Sequence, residues 1–256
     1  MATGLAVVTG AAGDIGQAIV RRLLRDHDGV VLADRDLAAA EAVARELGQG
    51  CTALGMDVTD PASCAALAEA TAAAGGVTTL VNNAGAAAAV SLHSTDAASW
   101  QADRALNLDA AYYVFSALAD QLAQHRGSVV NIVSVNGMGV FGHPAYSAAK
   151  AGMIHLTRLI AVEYGRRGIR ANAVAPGTVR TRAWEARARA NPDVFDQAAE
   201  HYALGRIATP DDVAEAVGFL ASPLADAITG VVLPVDCGLT AGVPGLARTF
   251  SQSDDY

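Results

Sequence analysis

Tyr146 and Lys150 stand four positions apart, which puts them on one face of a helix, a single turn from each other. Lys150 is the only lysine among eighteen basic residues. Wherever else the chain carries a fixed positive charge, it uses arginine. A phenol ionises near pH ~10, too high for acid–base work at neutrality. An ammonium beside it favours the phenolate and lowers that pKa. Lysine is also compact, with three rotatable donors suited to gripping a sugar hydroxyl, which arginine's planar fork is not. A Tyr/Lys pair at this spacing can equally be an ordinary surface contact, and the flanking residues discriminate.

Upstream, residues 128–134 form an apolar, β-rich run ending in Ser134. A strand ending there would set the serine hydroxyl at the carboxyl edge of a sheet, where open α/β sheets bind ligands. Gly137, Gly139 and Gly142 make a loop, and Pro144 sits where a helix would start. Asn136, Met138, Phe141 and His143 of this loop are candidates for a substrate wall.

The elements that must position these groups alternate along the whole chain. Leu5–Thr9 reads as a buried strand, followed by a turn holding Gly10, Gly13, Asp14, Ile15 and Gly16, then an amphipathic helix over 17–26. Strand, glycine turn and helix is the arrangement that sets a pyrophosphate on a helix N-terminus. The next strand, Gly29–Asp34, ends in a carboxylate suited to ribose hydroxyls and repellent to a 2′-phosphate. Arg35 beside it could accept that phosphate; Asp34 lies nearer the ribose, so NAD is expected. Asp34 could instead cap the helix over 37–47. Further strands are expected at 52–56, 77–81, 169–174 and 230–235, and helices at 61–74, 99–124, 146–166 and 211–220. Asn107 falls inside the 99–124 helix, an unfavourable place for asparagine unless it serves a purpose. This alternation predicts an α/β, doubly wound, Rossmann-type parallel sheet of seven strands in order 3-2-1-4-5-6-7, in a single domain. Residues 1–240 are expected to form the catalytic unit and 241–256 a polar C-terminal tail. Residues 182–205 break the strand–helix rhythm and read as a lid carrying Trp184, Phe195 and Tyr202, with Arg180, Arg182, Arg187 and Arg189 in or beside it. Trp184 and Arg182 are candidate substrate contacts, the arginines for an anionic group; a solvated basic face with Trp184 in the core is the alternative.

Six motifs, in order over residues 4–240, resemble those of the short-chain dehydrogenase/reductase family. Thr9, Gly10 and Gly16 match its T-G-x-x-x-G-x-G, with Asp14 where the middle glycine is expected. Asn82-Asn83-Ala84-Gly85 matches N-N-A-G, Asn107-Leu108 matches N-L, and Pro176-Gly177 through Thr181 matches P-G-x-x-x-T. Ser134, Tyr146 and Lys150 complete the set, with the serine one residue closer to the tyrosine than is usual. Cys237 replaces a glycine common in the family. The resemblance implies hydride transfer between NAD and a secondary alcohol or its ketone. It implies that Tyr146 moves the hydroxyl proton, that Lys150 holds the nicotinamide ribose, that Ser134 bonds the substrate oxygen and that Asn107 supports a water behind the lysine. It further implies cofactor contacts at Asp57 and Val58 (adenine), at Asn83, Ala84 and Gly85, and at Pro176, Gly177, Val179 and Thr181 (nicotinamide amide), and a homotetramer. The rivals are an NADPH-dependent 3-oxoacyl or hydroxysteroid reductase and a non-catalytic dinucleotide-binding protein.

Composition narrows the rest. Hydrophobic residues make up 52% and charged residues 17%, which excludes disorder. A net charge of −8 argues against nucleic acid or an anionic membrane as partner. No apolar run is long enough to span a bilayer, and residues 1–10 lack a basic leader region. Three unevenly spaced cysteines and six histidines without metal-ligand spacing suggest a reduced, cytoplasmic protein with no metal site. The Thr181–Trp184 start of the inserted segment resembles family branches that act on sugars, polyols or small cyclic alcohols, which makes such a small alcohol or ketone the expected substrate, with an anionic one as runner-up on account of the arginines.

Overall fold

Strand and helix alternate from β1 (Leu5–Thr9) through α1 (Asp14–Leu23), β2 (Gly29–Asp34), α2 (Leu37–Leu47), β3 (Cys51–Gly55), α3 (Pro61–Ala73) and β4 (Val77–Asn82). Then come α4 (Ala97–Arg104), α5 (Ala110–Gln124), β5 (Ser128–Ile132), α6 (Pro144–Tyr164) and β6 (Arg170–Pro176). The chain finishes with α7 (Glu185–Ala190), α8 (Val194–Ala199), α9 (Pro210–Ala221), β7 (Val232–Val235) and α10 (Pro244–Ser251). This computed structural model describes residues 4–88, 90–253 and 255, without the side chains of 185–187, so Arg187 of the expected lid lies outside the described residues.

The seven strands are all parallel, in the order β3-β2-β1-β4-β5-β6-β7. Alternate residues of each strand face opposite sides, and both sides are apolar. Ala6, Val8, Leu32 and Val130 pack against α1, α2 and α9 on one face. Val7, Ala33, Leu80 and Val129 pack against α3, α5 and α6 on the other. Burial on both faces explains why the strands read as continuous apolar runs.

β1 pairs with β2 on one side and β4 on the other, so the strand order reverses at this point and a crevice opens at the carboxyl ends. Side-chain amides hold that edge together. Asn83 Nδ2 donates to the carbonyls of Thr9 and Gly10 at 2.9 and 3.0 Å. Asn82 donates to Asn131 at 2.9 Å, and Asn131 donates to Thr157 on α6 at 2.8 Å.

Two sequence expectations need correction. The single helix over 99–124 is α4 and α5 joined by a π-helical segment, Ala105–Asp109, with Asn107 at its centre. A π segment inserts an extra residue and turns a side chain out of the regular helical face, a feature periodicity does not reveal. The polar tail over 241–256 contains α10, and Val243 just before it is exposed along with Leu246 and Phe250 of the helix. None of the described helices is long and apolar enough to cross a membrane.

Candidate active site

Ser134 lies just past the end of β5 and is 8% exposed. Its hydroxyl donates to Asn136 Oδ1 and accepts from Asn136 N, both at 3.2 Å. Asn136 Nδ2 donates in turn to the Gly142 carbonyl at 2.8 Å and to Ser147 Oγ at 3.2 Å. The short loop between serine and tyrosine is therefore stitched at both ends, and Ser134 still reaches Tyr146, with which it shares a hydrogen bond. The loop can lie against α6 because Gly137 has no side chain: a Cβ there would sit 2.8 Å from the Lys150 carbonyl carbon.

Pro144 begins α6, which carries Tyr146 and Lys150 on one face as the spacing predicts. Lys150 Nζ is 5.6 Å from the centroid of the Tyr146 ring and donates to the Ile132 carbonyl at 2.8 Å. Asn107 faces the same spot. Its Nδ2 donates to the carbonyls of Ala86 and Asp103 at 2.7 and 2.8 Å, while its buried Oδ1 has no partner among the described residues. A Cβ on Gly85 would lie 2.8 Å from that oxygen and 3.3 Å from Lys150 Nζ, so glycine here leaves room for both groups.

The electrostatics differ from the sequence expectation. Burial pushes the Tyr146 phenol up from its ordinary pKa, and the hydrogen bond to Ser134 offsets only part of that rise. Burial also lowers the Lys150 ammonium to about 7. Both groups are strongly desolvated, which brings the lysine into the physiological range and keeps the tyrosine a proton donor.

Two cavities lie along this crevice and share Ile15, Asn83, Gly85 and Thr181 in their walls. One of about 920 Å³ is lined by Gly10, Gly13, Asp14, Ile15 and Gly16, by Asp34, Arg35, Asp57 and Val58, and by Asn83, Ala84 and Gly85. These are the residues expected to hold a dinucleotide, and they fit one. Gly10 (φ +62°) lets Ala84 pass so close that a Cβ would be 2.9 Å from its Cα, and a Cβ on Gly16 would lie 2.3 Å from the Gly10 carbonyl oxygen. That leaves backbone lining the approach to the N-terminus of α1. Asp34 does not cap α2, because Asp36 does so by accepting from Ala39 N at 3.0 Å. The Asp34 carboxylate instead accepts from Ala12 N and Asp36 N, both at 3.0 Å, and lines the cavity. Asp57 accepts from the backbone and hydroxyl of Thr59, which holds its carboxyl below the usual range.

The second cavity, of about 1000 Å³, is lined by Ser134, Asn136, His143, Tyr146, Lys150, Pro176, Gly177, Val179, Thr181 and Trp184. Met138, expected on its wall, lines neither cavity and is 44% exposed. Arg182 lines the first cavity rather than the second, in an ion pair with Asp14. Arg180 stacks over Phe195, and the exposed Arg189 lines neither cavity. Sequence reasoning did not place His201, Tyr202, Leu239, Val243 and Pro244 on this wall. Tyr202 comes from an aromatic noted only as part of the lid, and its hydroxyl accepts from Thr178 N at 2.9 Å. Val243 and Pro244 come from the segment read as a tail. No local pattern marks such contacts, because they depend on how the chain returns after β7.

Known proteins fit this geometry. A family model described as enoyl-(acyl carrier protein) reductase matches residues 10–240. The 2-(S)-hydroxypropyl-CoM dehydrogenase 3 of Xanthobacter autotrophicus is 40% identical over 91% of this chain and 95% of its own length. Galactitol 2-dehydrogenase (L-tagatose-forming) of Cereibacter sphaeroides is 36% identical over 92% of this chain and 94% of its own. The crystal structure of a short-chain dehydrogenase/reductase family oxidoreductase from Burkholderia thailandensis superposes with a TM-score of 0.93 and 47% identity over 99% of both chains. With the sheet order, the glycine turn and the Ser/Tyr/Lys centre already in place, these matches along nearly the full length make this chain a member of the short-chain dehydrogenase/reductase family, oxidoreductases that act on CH–OH groups with a nicotinamide dinucleotide.

Proposed function

We propose that this chain is an NAD-dependent dehydrogenase that interconverts a neutral, polar secondary alcohol and its ketone, the alcohol being a sugar, a polyol or a small cyclic alcohol. The observation that carries the reading is the meeting of Ser134, Tyr146 and Lys150 on the wall of a cavity that shares Ile15, Asn83, Gly85 and Thr181 with the dinucleotide cavity. When bound, the dinucleotide supplies the hydride chemistry. Tyr146 takes the alcohol proton on oxidation and returns it on reduction. Ser134, already bonded to Tyr146, directs the substrate oxygen to the phenol. Lys150 sits where it can hold a ribose hydroxyl and pass a proton on. The unpartnered Oδ1 of Asn107 is an acceptor for a water beside the lysine. Asp57, Val58, Asn83, Ala84, Gly85, Pro176, Gly177, Val179 and Thr181 keep the cofactor-binding roles expected of them.

Asp34 supports NAD over NADP, since a carboxylate ending β2 and lining the dinucleotide cavity suits ribose hydroxyls and would repel a 2′-phosphate. A neutral substrate is favoured over an anionic one because no arginine lines the substrate cavity among the described residues. Its walls are aromatic and imidazole: Phe141, Trp184 and Tyr202 with His143 and His201. Such faces stack on a ring and offer a few orienting donors. The galactitol dehydrogenase at 36% identity acts on a molecule of this class. Tyr112, Leu159 and Val162 on α5 and α6 stay exposed, which supports assembly through these helices into the expected homotetramer. The three free cysteines suit the reducing cytoplasm.

A panel of neutral and carboxylate-bearing secondary alcohols, assayed with NAD and with NADP by absorbance of the reduced cofactor, tests the reading. Turnover with NAD on neutral polyols or cyclic alcohols is expected, with Asp34→Ala narrowing the preference over NADP. Equal efficiency with NADP, or turnover confined to carboxylate-bearing alcohols, contradicts it.

A further inference from the structure

Asp14, at the place where the phosphate turn is expected to have a glycine, is bonded to Arg182, which opens the inserted segment 168 positions later. Arg182 N donates to Asp14 Oδ2 at 2.6 Å, and Arg182 Nε donates to Oδ1 at 2.5 Å. One residue thus engages both carboxylate oxygens, through backbone and side chain together. Nη2 makes only a long contact, 3.4 Å, with the Ala12 carbonyl, and among the described residues no acceptor meets Nη1. The Arg182 side chain is 63% exposed. Thr181 and Ala183 line both cavities, whereas Arg182 lines only the dinucleotide cavity and Trp184 only the substrate cavity.

Asp14 is the first residue of α1, where a negative charge suits the helix dipole. The same helix end is where a phosphate is to be received, and a bare carboxylate there would repel it. The ion pair cancels that repulsion. A guanidinium has five donors in a plane, so one bonded through Nε still presents its Nη groups to a second anion. We propose that Arg182 is a ligand of the dinucleotide's phosphates, carried by the inserted segment and oriented by Asp14, so that cofactor occupancy and the position of that segment are coupled. The coupling is reciprocal: whatever draws the segment over the substrate cavity also tightens the cofactor. Arg182 then reads the cofactor, and Trp184, two residues on, reads the substrate.

Binding of ADP-ribose and of adenosine, measured by calorimetry on wild type, Arg182→Ala and Asp14→Asn, tests this without turnover. Arg182→Ala should weaken ADP-ribose about tenfold to a hundredfold, the range for a hydrogen bond to a charged group, and leave adenosine unchanged. Asp14→Asn should weaken ADP-ribose less. Hydrogen exchange over residues 182–199 should slow when wild type binds ADP-ribose and stay unchanged in Arg182→Ala. Wild-type ADP-ribose affinity in Arg182→Ala, an equal loss for adenosine, or ADP-ribose protection retained in that variant each overturns the proposal. Failure of wild type to bind ADP-ribose would remove the dinucleotide site and the proposal with it.

Discussion

The two sides of the crevice are built differently. On one side Asn107, Ser134 and Lys150 are 1%, 8% and 2% exposed and are fixed by bonds to the Ala86 and Asp103 carbonyls, to Asn136 and to the Ile132 carbonyl. On the other, residues 182–205 hold two helices of six residues each, and Leu204 is 67% exposed. Short helices without deep packing are cheap to move. The buried side is suited to perform one fixed proton transfer, and the exposed side to choose what is presented to it. Substitutions on the buried side should therefore change kcat for every substrate, and those on the exposed side should change which substrate is preferred.

The largest expected effect is at Tyr146. Tyr146→Phe keeps the ring and the packing, so it should fold and bind NAD while losing turnover by about 10²–10⁴-fold, the span of a general acid–base group. Turnover near wild type in stopped assays would move the chemistry to another residue. Next is Trp184→Ala, which should raise KM about tenfold for the preferred alcohol, reorder the substrate panel and leave NAD affinity in place. A uniform fall in kcat across the panel would erase the distinction between the two sides.

A smaller effect concerns stability. Lys150 is lowered to about 7 in the fold, against 10.5 as its ordinary value. Between those values the unfolded chain binds more protons, so the lysine's contribution to stability rises with pH there and is at its lowest below about pH 7. Lys150→Met removes the buried amine. Its melting temperature should exceed that of wild type at pH 6, at roughly 2–4 °C per kcal/mol, and the gap should narrow toward pH 10. A gap independent of pH, read by calorimetry at both values, would mean the lysine is not held against its charge.

The buried side was also the legible one. A single lysine one turn after a tyrosine, a serine ending an apolar run and a proline starting a helix are local signals, and each survives folding unchanged. The sheet order followed from strict alternation of strand and helix. The pairing of Arg182 with Asp14 was not legible because the two are 168 residues apart. The roles of His201 and Val243 depend on how the chain returns over the crevice after β7. The π segment at Asn107 was visible only as an asparagine in an uncomfortable place. The phenol's raised pKa was missed because spacing gives the distance to a lysine but not the burial that acts on both.

The central claim is that Tyr146, held proton-rich by burial, carries the alcohol proton. Its most direct test is the pH dependence of kcat/KM for alcohol oxidation and for ketone reduction, which reports the acid–base groups of the free enzyme. A base must be unprotonated to accept, so oxidation should climb from neutral into alkaline pH in wild type while reduction falls, and Tyr146→Phe should lose both trends. An oxidation profile that is flat over that range in wild type, or unchanged in Tyr146→Phe, would contradict the account.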